Sequence, residues 1–111
     1  MNWIELNTQA QLQQIVDAEG YSVIFKHSTR CSVSNMAKRR FEQGWEGIPE
    51  GTPVYYLDLI SYRDISNAVA TTFSIHHESP QLLLIRDGDC IYETSHGEIS
   101  AEDLVEQINL S

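Results

Sequence analysis

The chain reads as an α/β domain built on a four-stranded mixed sheet, two parallel strands plus a C-terminal antiparallel hairpin, with helices on both faces. Three observations lead there. Apolar runs at residues 21–25 (YSVIF), 54–60 (VYYLDLI) and 81–86 (QLLLIR) alternate with segments of helical periodicity. The runs are nearly continuous rather than alternating, as strands covered on both faces are. Asp87-Gly88 then separates the third run from CIYET at 90–94, and that dipeptide favours a two-residue hairpin. With 111 residues, the whole of 1–111 suits one domain around one core.

Taken in order, Asn7 or Thr8 offers a side-chain oxygen to the free N–H groups of a first helix. Leu12, Ile15 and Val16 share its inner face, and Gly20 ends it. The strand at 21–25 leads through a polar turn into a second helix, with Val33, Met36, Ala37 and Phe41 as its apolar stripe and Gly44 as its stop. Residues 45–53 hold two glycines and two prolines and read as loop. After the strand at 54–60, Ser61 with Asp64 makes a capping-box pattern for a third helix, striped by Ile65, Val69 and Phe73. HHESP at 76–80 breaks that helix and admits the strand at 81–86. Past the hairpin, Ser100 with Asp103 caps a last helix carrying Leu104, Val105 and Ile108. Two parallel strands joined by a helix require a right-handed crossover. The resulting order, αβαβαββα, is that of the thioredoxin fold.

Charge narrows the function. The net charge of -9 argues against nucleic acid, which needs a basic face, and against an anionic membrane surface. No apolar run reaches the roughly 20 residues of a bilayer span, and MNWIELNTQAQLQQ lacks a basic, apolar leader. A cytosolic protein is the expectation. Five of the seven Lys and Arg residues nonetheless lie in one acid-free window: Lys26, Arg30, Lys38, Arg39 and Arg40. Arg39 and Arg40 read as a solvated helix face, whereas Lys26 and Arg30 stand close to Cys31 in sequence.

Cys31 falls between the first buried strand and the next helix. Free N–H groups and the positive end of the helix dipole favour a thiolate there. A turn rich in Ser and Thr is a poor place to bury a cysteine, so a reactive thiol is the reading. Ser34, three positions on, either caps the helix or stands where a second thiol would resolve a disulfide. Lacking that thiol, a mixed disulfide on Cys31 needs a second molecule to release it. Cys90 should lie most of a strand length away, roughly 15–20 Å, and reads as packing. Ser79-Pro80 heads a buried strand. It is either an ordinary trans proline at a strand start or the cis proline that faces the reactive cysteine in the thioredoxin arrangement.

Phe25-Lys26-His27-Ser28-Thr29, then Cys31, Ser34 and Ser79-Pro80-Gln81, resemble the monothiol bacilliredoxins of the YtxJ-like group, a thioredoxin-fold family. The likeness spans nearly the whole chain. It implies removal of bacillithiol from mixed disulfides on cytosolic proteins, with bacillithiol as co-substrate and no tightly bound cofactor. Cys31 is the implied nucleophile within the motif Thr29, Arg30, Ser32, Val33 and Ser34. Lys26, His27, Ser79 and Pro80 are the implied substrate contacts, and another thiol or a reductase regenerates the protein. Two departures stand out. Ser32 replaces the proline that usually follows the nucleophile, and Phe25 holds the place of the buried Asp of thioredoxins. Three rivals remain: a redoxin using glutathione or coenzyme A, a non-catalytic thioredoxin-like adaptor, and a metal site drawing on Cys31, His27, His76 and His77, although no zinc-type spacing joins them.

Overall fold

A computed structural model describes residues 2–111. The elements are β1 (Trp3–Glu5), α1 (Gln9–Asp17), β2 (Tyr21–His27), α2 (Ser32–Gln43), β3 (Val54–Asp58), α3 (Arg63–Phe73), β4 (Gln81–Arg86), β5 (Asp89–Ser95) and α4 (Ala101–Leu110), with single 3-10 turns at Trp45–Gly47 and His96–Glu98. The strands stand in the order β1-β3-β2-β4-β5. β1 and β2 run parallel to β3, β4 is antiparallel to β2, and β5 is antiparallel to β4.

The sheet therefore has five strands, three of them parallel, where the sequence pattern predicts four and two. The added strand is β1, whose three residues are too few to show a period. Tertiary packing holds it: the Trp3 indole lies 4.9 to 5.8 Å, centroid to centroid, from the rings of Phe25, Phe41, Trp45 and Tyr56. The Leu6 N–H donates to the Tyr56 carbonyl just beyond the paired residues.

Alternation along β2 divides the core. Val23 and Phe25 face α2 and α4 with Phe41, Leu82, Leu84 and Leu104. Ile24 faces α1 and α3 with Leu12, Ile15, Ile65, Val69 and Leu83. Covered on both faces, β2 and β4 bury almost every side chain, as continuous apolar strands should. The hairpin turn has positive φ at both Asp87 and Gly88, the geometry that matches strand twist. Gly88 is obligatory for a second reason: a Cβ there would stand 2.4 Å from the Val16 carbonyl oxygen.

Thr8 caps α1 in a full capping box with Gln11, and Ser100 caps α4. The Ser61 cap does not form. Helix α3 begins one residue later, after Tyr62, because the Ser61 hydroxyl donates to Asp58 Oδ2, while Asp58 Oδ1 accepts the N–H groups of Ile60 and Ser61. On α2 the buried stripe is Ser34, Ala37 and Phe41, and Val33 and Met36 are exposed. Phe41 and Ala37 pack on the sheet, and the bonds of Ser34 described below turn its face inward, which rotates Val33 and Met36 outward. No helix among the described residues is long and apolar enough to cross a membrane.

Candidate active site

Strand β2 runs two residues past its apolar segment, to His27. The turn Ser28–Cys31 closes with the Cys31 N–H donating to the Ser28 carbonyl at 3.2 Å. Cys31 is then the N-cap of α2, and its carbonyl accepts the first helical bond, from the Asn35 N–H, at 3.0 Å. The Cys31 side chain makes no capping bond, and no acidic residue lies in the first turn of the helix. The sulfur is thus half-buried at the positive end of a twelve-residue helix, a place that favours an anion. Thr29, Arg30, Ser32 and Val33 around it are exposed.

Pro80 enters from the other side of β2. Lys26 pairs with Gln81 across β2 and β4, so the end of one strand and the start of the other share one end of the sheet. The Ser79-Pro80 bond is cis. Gln81 braces the approach to it: Nε2 donates to the His76 carbonyl and to Glu93 Oε2, and Oε1 accepts the Glu78 N–H. The Pro80 carbonyl accepts the His96 N–H, and the His96 ring bonds Glu78 Oε2 at 2.9 Å. Ser79 forms no backbone–backbone hydrogen bond with another described residue.

Lys26 and His27, expected to meet substrate, are both buried. Alternation sends them to opposite faces of the sheet. The Lys26 ammonium lies 3.1 Å from His77 Nδ1, and burial lowers its pKa to about 8. His27 faces α2, with Nδ1 2.6 Å from the Ser34 hydroxyl oxygen. That oxygen also accepts the Ser28 N–H at 3.0 Å. Burial holds the His27 pKa below its ordinary value, and the Lys38 charge adds to the effect. Ser34 is therefore a buried tie between strand, turn and helix, rather than a cap. The basic window disperses likewise. Arg30 and Arg39 are exposed, Arg40 donates to the Ile99 carbonyl, and Lys38 pairs with Glu42 at 2.9 Å over the Trp3 and Tyr56 rings.

Cys90 sits half-buried on the edge strand β5 against the α1/α3 core, with its thiol pushed up in pKa by burial. Both cysteines are free. Among the described residues no three His, Cys, Asp or Glu side chains are grouped to hold a metal. His27 is committed to Ser34, and His77 to Lys26. Of the site, the structure brings together Cys31, Ser34 and the cis proline's end of the sheet. Sequence reasoning missed the Lys26–His77 and His27–Ser34 pairs. Their only signal was that the strand continues to residue 27.

Comparison with known proteins agrees with this geometry. A solved structure described as a candidate oxidoreductase with a thioredoxin fold superposes with a TM-score of 0.83 at 28% identity, covering 96% of this chain and 93% of that one. A singly substituted thioredoxin of Halobacterium salinarum NRC-1 superposes with a TM-score of 0.73 at 17% identity, over 97% and 88%, and shares the fold. One curated relative, trichosetin synthetase PKS-NRPS1 of Gibberella fujikuroi, is 36% identical over 76 residues. The match spans 68% of this chain but only 2% of the synthetase, and nothing of that enzyme's activity carries over. The family profile of the monothiol bacilliredoxin BrxC matches residues 4–104, nearly the whole fold and every residue of the thiol site. This chain is therefore a thioredoxin-fold monothiol redox protein and belongs to the monothiol bacilliredoxin BrxC family.

Proposed function

We propose that the protein removes bacillithiol from mixed disulfides on cytosolic proteins, with Cys31 as the nucleophile. The observation that carries this reading is the half-buried Cys31 at the start of α2 with a buried hydroxyl, not a thiol, at position 34, in a chain that matches the monothiol family across 4–104. The Cys31 thiolate attacks the bacillithiol sulfur, and the protein–bacillithiol S–S bond breaks. The substrate sulfur departs as a thiolate and takes a proton from water, while bacillithiol stays on Cys31 as a new disulfide. Ser34 cannot expel it, and Cys90 is packed on the far edge strand. An outside thiol or a reductase must complete the cycle by attacking the Cys31 adduct.

Exposed Arg30, next to Cys31 in the chain, suits the malate carboxylates of bacillithiol. The cis proline end suits the extended segment of a modified protein. One substrate protein modified in turn with bacillithiol, glutathione and coenzyme A tests the reading. The expected result is fastest release from the bacillithiol form, with an intact mass showing bacillithiol on Cys31 and no adduct on Cys31→Ala. Faster release from the glutathione or coenzyme A form would reassign the co-substrate. No adduct with any of the three would leave an inert adaptor.

A further inference from the structure

Among the described residues, Lys26 is the one lysine or arginine that the fold buries, and its burial is complete. Alternation along β2 puts it on the sheet face that Ile24 shares with α3, opposite the face covered by α2. A buried cation needs an anion, because nothing else offsets the loss of its water. Here Nζ has one polar partner, His77 Nδ1 at 3.1 Å, and no carboxylate among the described residues pairs with it. An ammonium can only donate, so His77 meets the charged lysine as a neutral acceptor. The charged groups that face His77 besides Lys26 are Arg63 from α3 and, from its own segment, His76 and Glu78. Glu78 is the single carboxylate among them, and its oxygens face other rings: Oε2 lies 2.9 Å from His96 Nε2 and Oε1 lies 3.7 Å from His76 Nε2. Lys26 thus has no counter-charge, in a chain whose net charge is -9. Its partner is also easily removed. His77 is exposed, and residues 75–78 belong to no helix or strand, so the ring can swing out by side-chain rotation alone.

We propose that Lys26 is the floor of a binding site for a small free carboxylate, which takes the place of the His77 ring on the buried ammonium. The site is separate from the thiol chemistry and does not rest on it, since α2 and its N-cap Cys31 belong to the other face of the sheet. Charge and size choose the ligand. One positive charge on the floor matches one negative charge. Glu78, which faces His77, repels a dianion such as phosphate more than a monoanion. The room that an imidazole ring leaves suits a body the size of acetate. A carboxylate supplies the charge-assisted bonds that a neutral ring lacks, and exposed Arg63 adds attraction from α3.

The test is a titration with sodium acetate at constant ionic strength, balanced with sodium chloride and read on the backbone amide NMR shifts of Lys26 and Gln81. Neither bacillithiol nor Cys31 enters the measurement, so a failure of the bacillithiol reading leaves it untouched. The shifts should saturate at pH 7. Burial lowers the Lys26 pKa to about 8, so at about pH 9.5 only about one chain in thirty keeps the ammonium, and the affinity should fall about thirtyfold. An ordinary exposed lysine stays charged there and would lose almost nothing. Lys26→Met, which keeps the apolar stem, should abolish the saturable shift, read in that variant at Gln81 and residue 26. His77→Ala removes the competing ring and should tighten binding several-fold. Shifts that do not saturate at pH 7, or that saturate equally in Lys26→Met, overturn the proposal. So does a His77→Ala variant that binds acetate no more tightly than the parent. Tighter binding of inorganic phosphate, or of glutamate blocked at both its amino and α-carboxyl groups, also overturns it, in favour of a dianion or of a protein side chain.

Discussion

A buried ammonium is stable beside an anion, and Lys26 has none. Its Nζ meets His77 Nδ1, a neutral acceptor, and among the described residues no carboxylate pairs with it. Burial alone accounts for the fall of its pKa from 10.5 to about 8. Since the residue is 0% exposed, that shift corresponds to roughly 3 kcal/mol of strain in the charged form. The cost is fully present below pH 8, where both folded and unfolded chains are protonated. It is relieved between about 8 and 10.5, where only the unfolded chain keeps its proton. Lys26→Met should therefore be more stable than the parent at pH 7, by about 1–3 kcal/mol in urea titrations. The gap between the two should narrow as pH rises from 8 to 10. Equal stability at pH 7, or a gap that does not change, would show that the ammonium is better solvated than its burial implies. None of this was legible in the sequence. A strand that stopped at Phe25 would have left Lys26 and His27 on a loop facing substrate; two more residues of β2 bury both.

At the scale of elements, β1 is the least self-sufficient. Three residues pair with β3, and the Trp3 ring, wedged among four aromatic neighbours, is its main hold. The indole N–H also donates to Glu42 on α2 at 2.7 Å. Trp3→Ala should cost about 3–5 kcal/mol and free β1 before the rest opens. Amide exchange would show it: the Leu6 N–H, bonded to the Tyr56 carbonyl, should lose protection while Ile24 and Leu83 keep theirs. If all three change together, β1 belongs to the global unfolding unit. This strand also marks where sequence reading stopped. Long apolar runs announced β2, β3 and β4, and Asp87-Gly88 announced the hairpin, because local chemistry decides those. β1 is set by a ring cluster distant in sequence, and the start of α3 and the inward face of α2 by particular side-chain bonds that no periodicity announces: Ser61 with Asp58 and Ser34 with His27. The thiol site divides the same way. Cys31, Ser34 and Pro80 were legible from motif and order, while the Lys26–His77 and His27–Ser34 pairs needed strand register.

For the whole molecule, charge and burial set an acid limit. The pKa of each of His27 and His77 is lowered by burial first. As pH falls below about 6.5 the unfolded chain takes protons that the folded chain refuses, so stability declines. Glu42 continues the trend. Its pKa is lowered on balance by bonds from Lys38 and Trp3 that outweigh burial, so its contribution is present above about pH 4.5 and lost as it protonates. Relief of the -9 net charge on approaching the pI near 4.6 works the other way. Urea midpoints should therefore fall between pH 6.5 and 5, and fall less in a His27→Gln, His77→Asn double variant. A midpoint that climbs through this range would mean that charge relief dominates. One long-range consequence follows from the Gln81 brace. Glu93, on the outermost strand, holds the amide that steadies the segment leading to Pro80. Surface drift on that remote margin is therefore constrained, for whatever loosens the carboxylate slackens the turn that carries the cis proline.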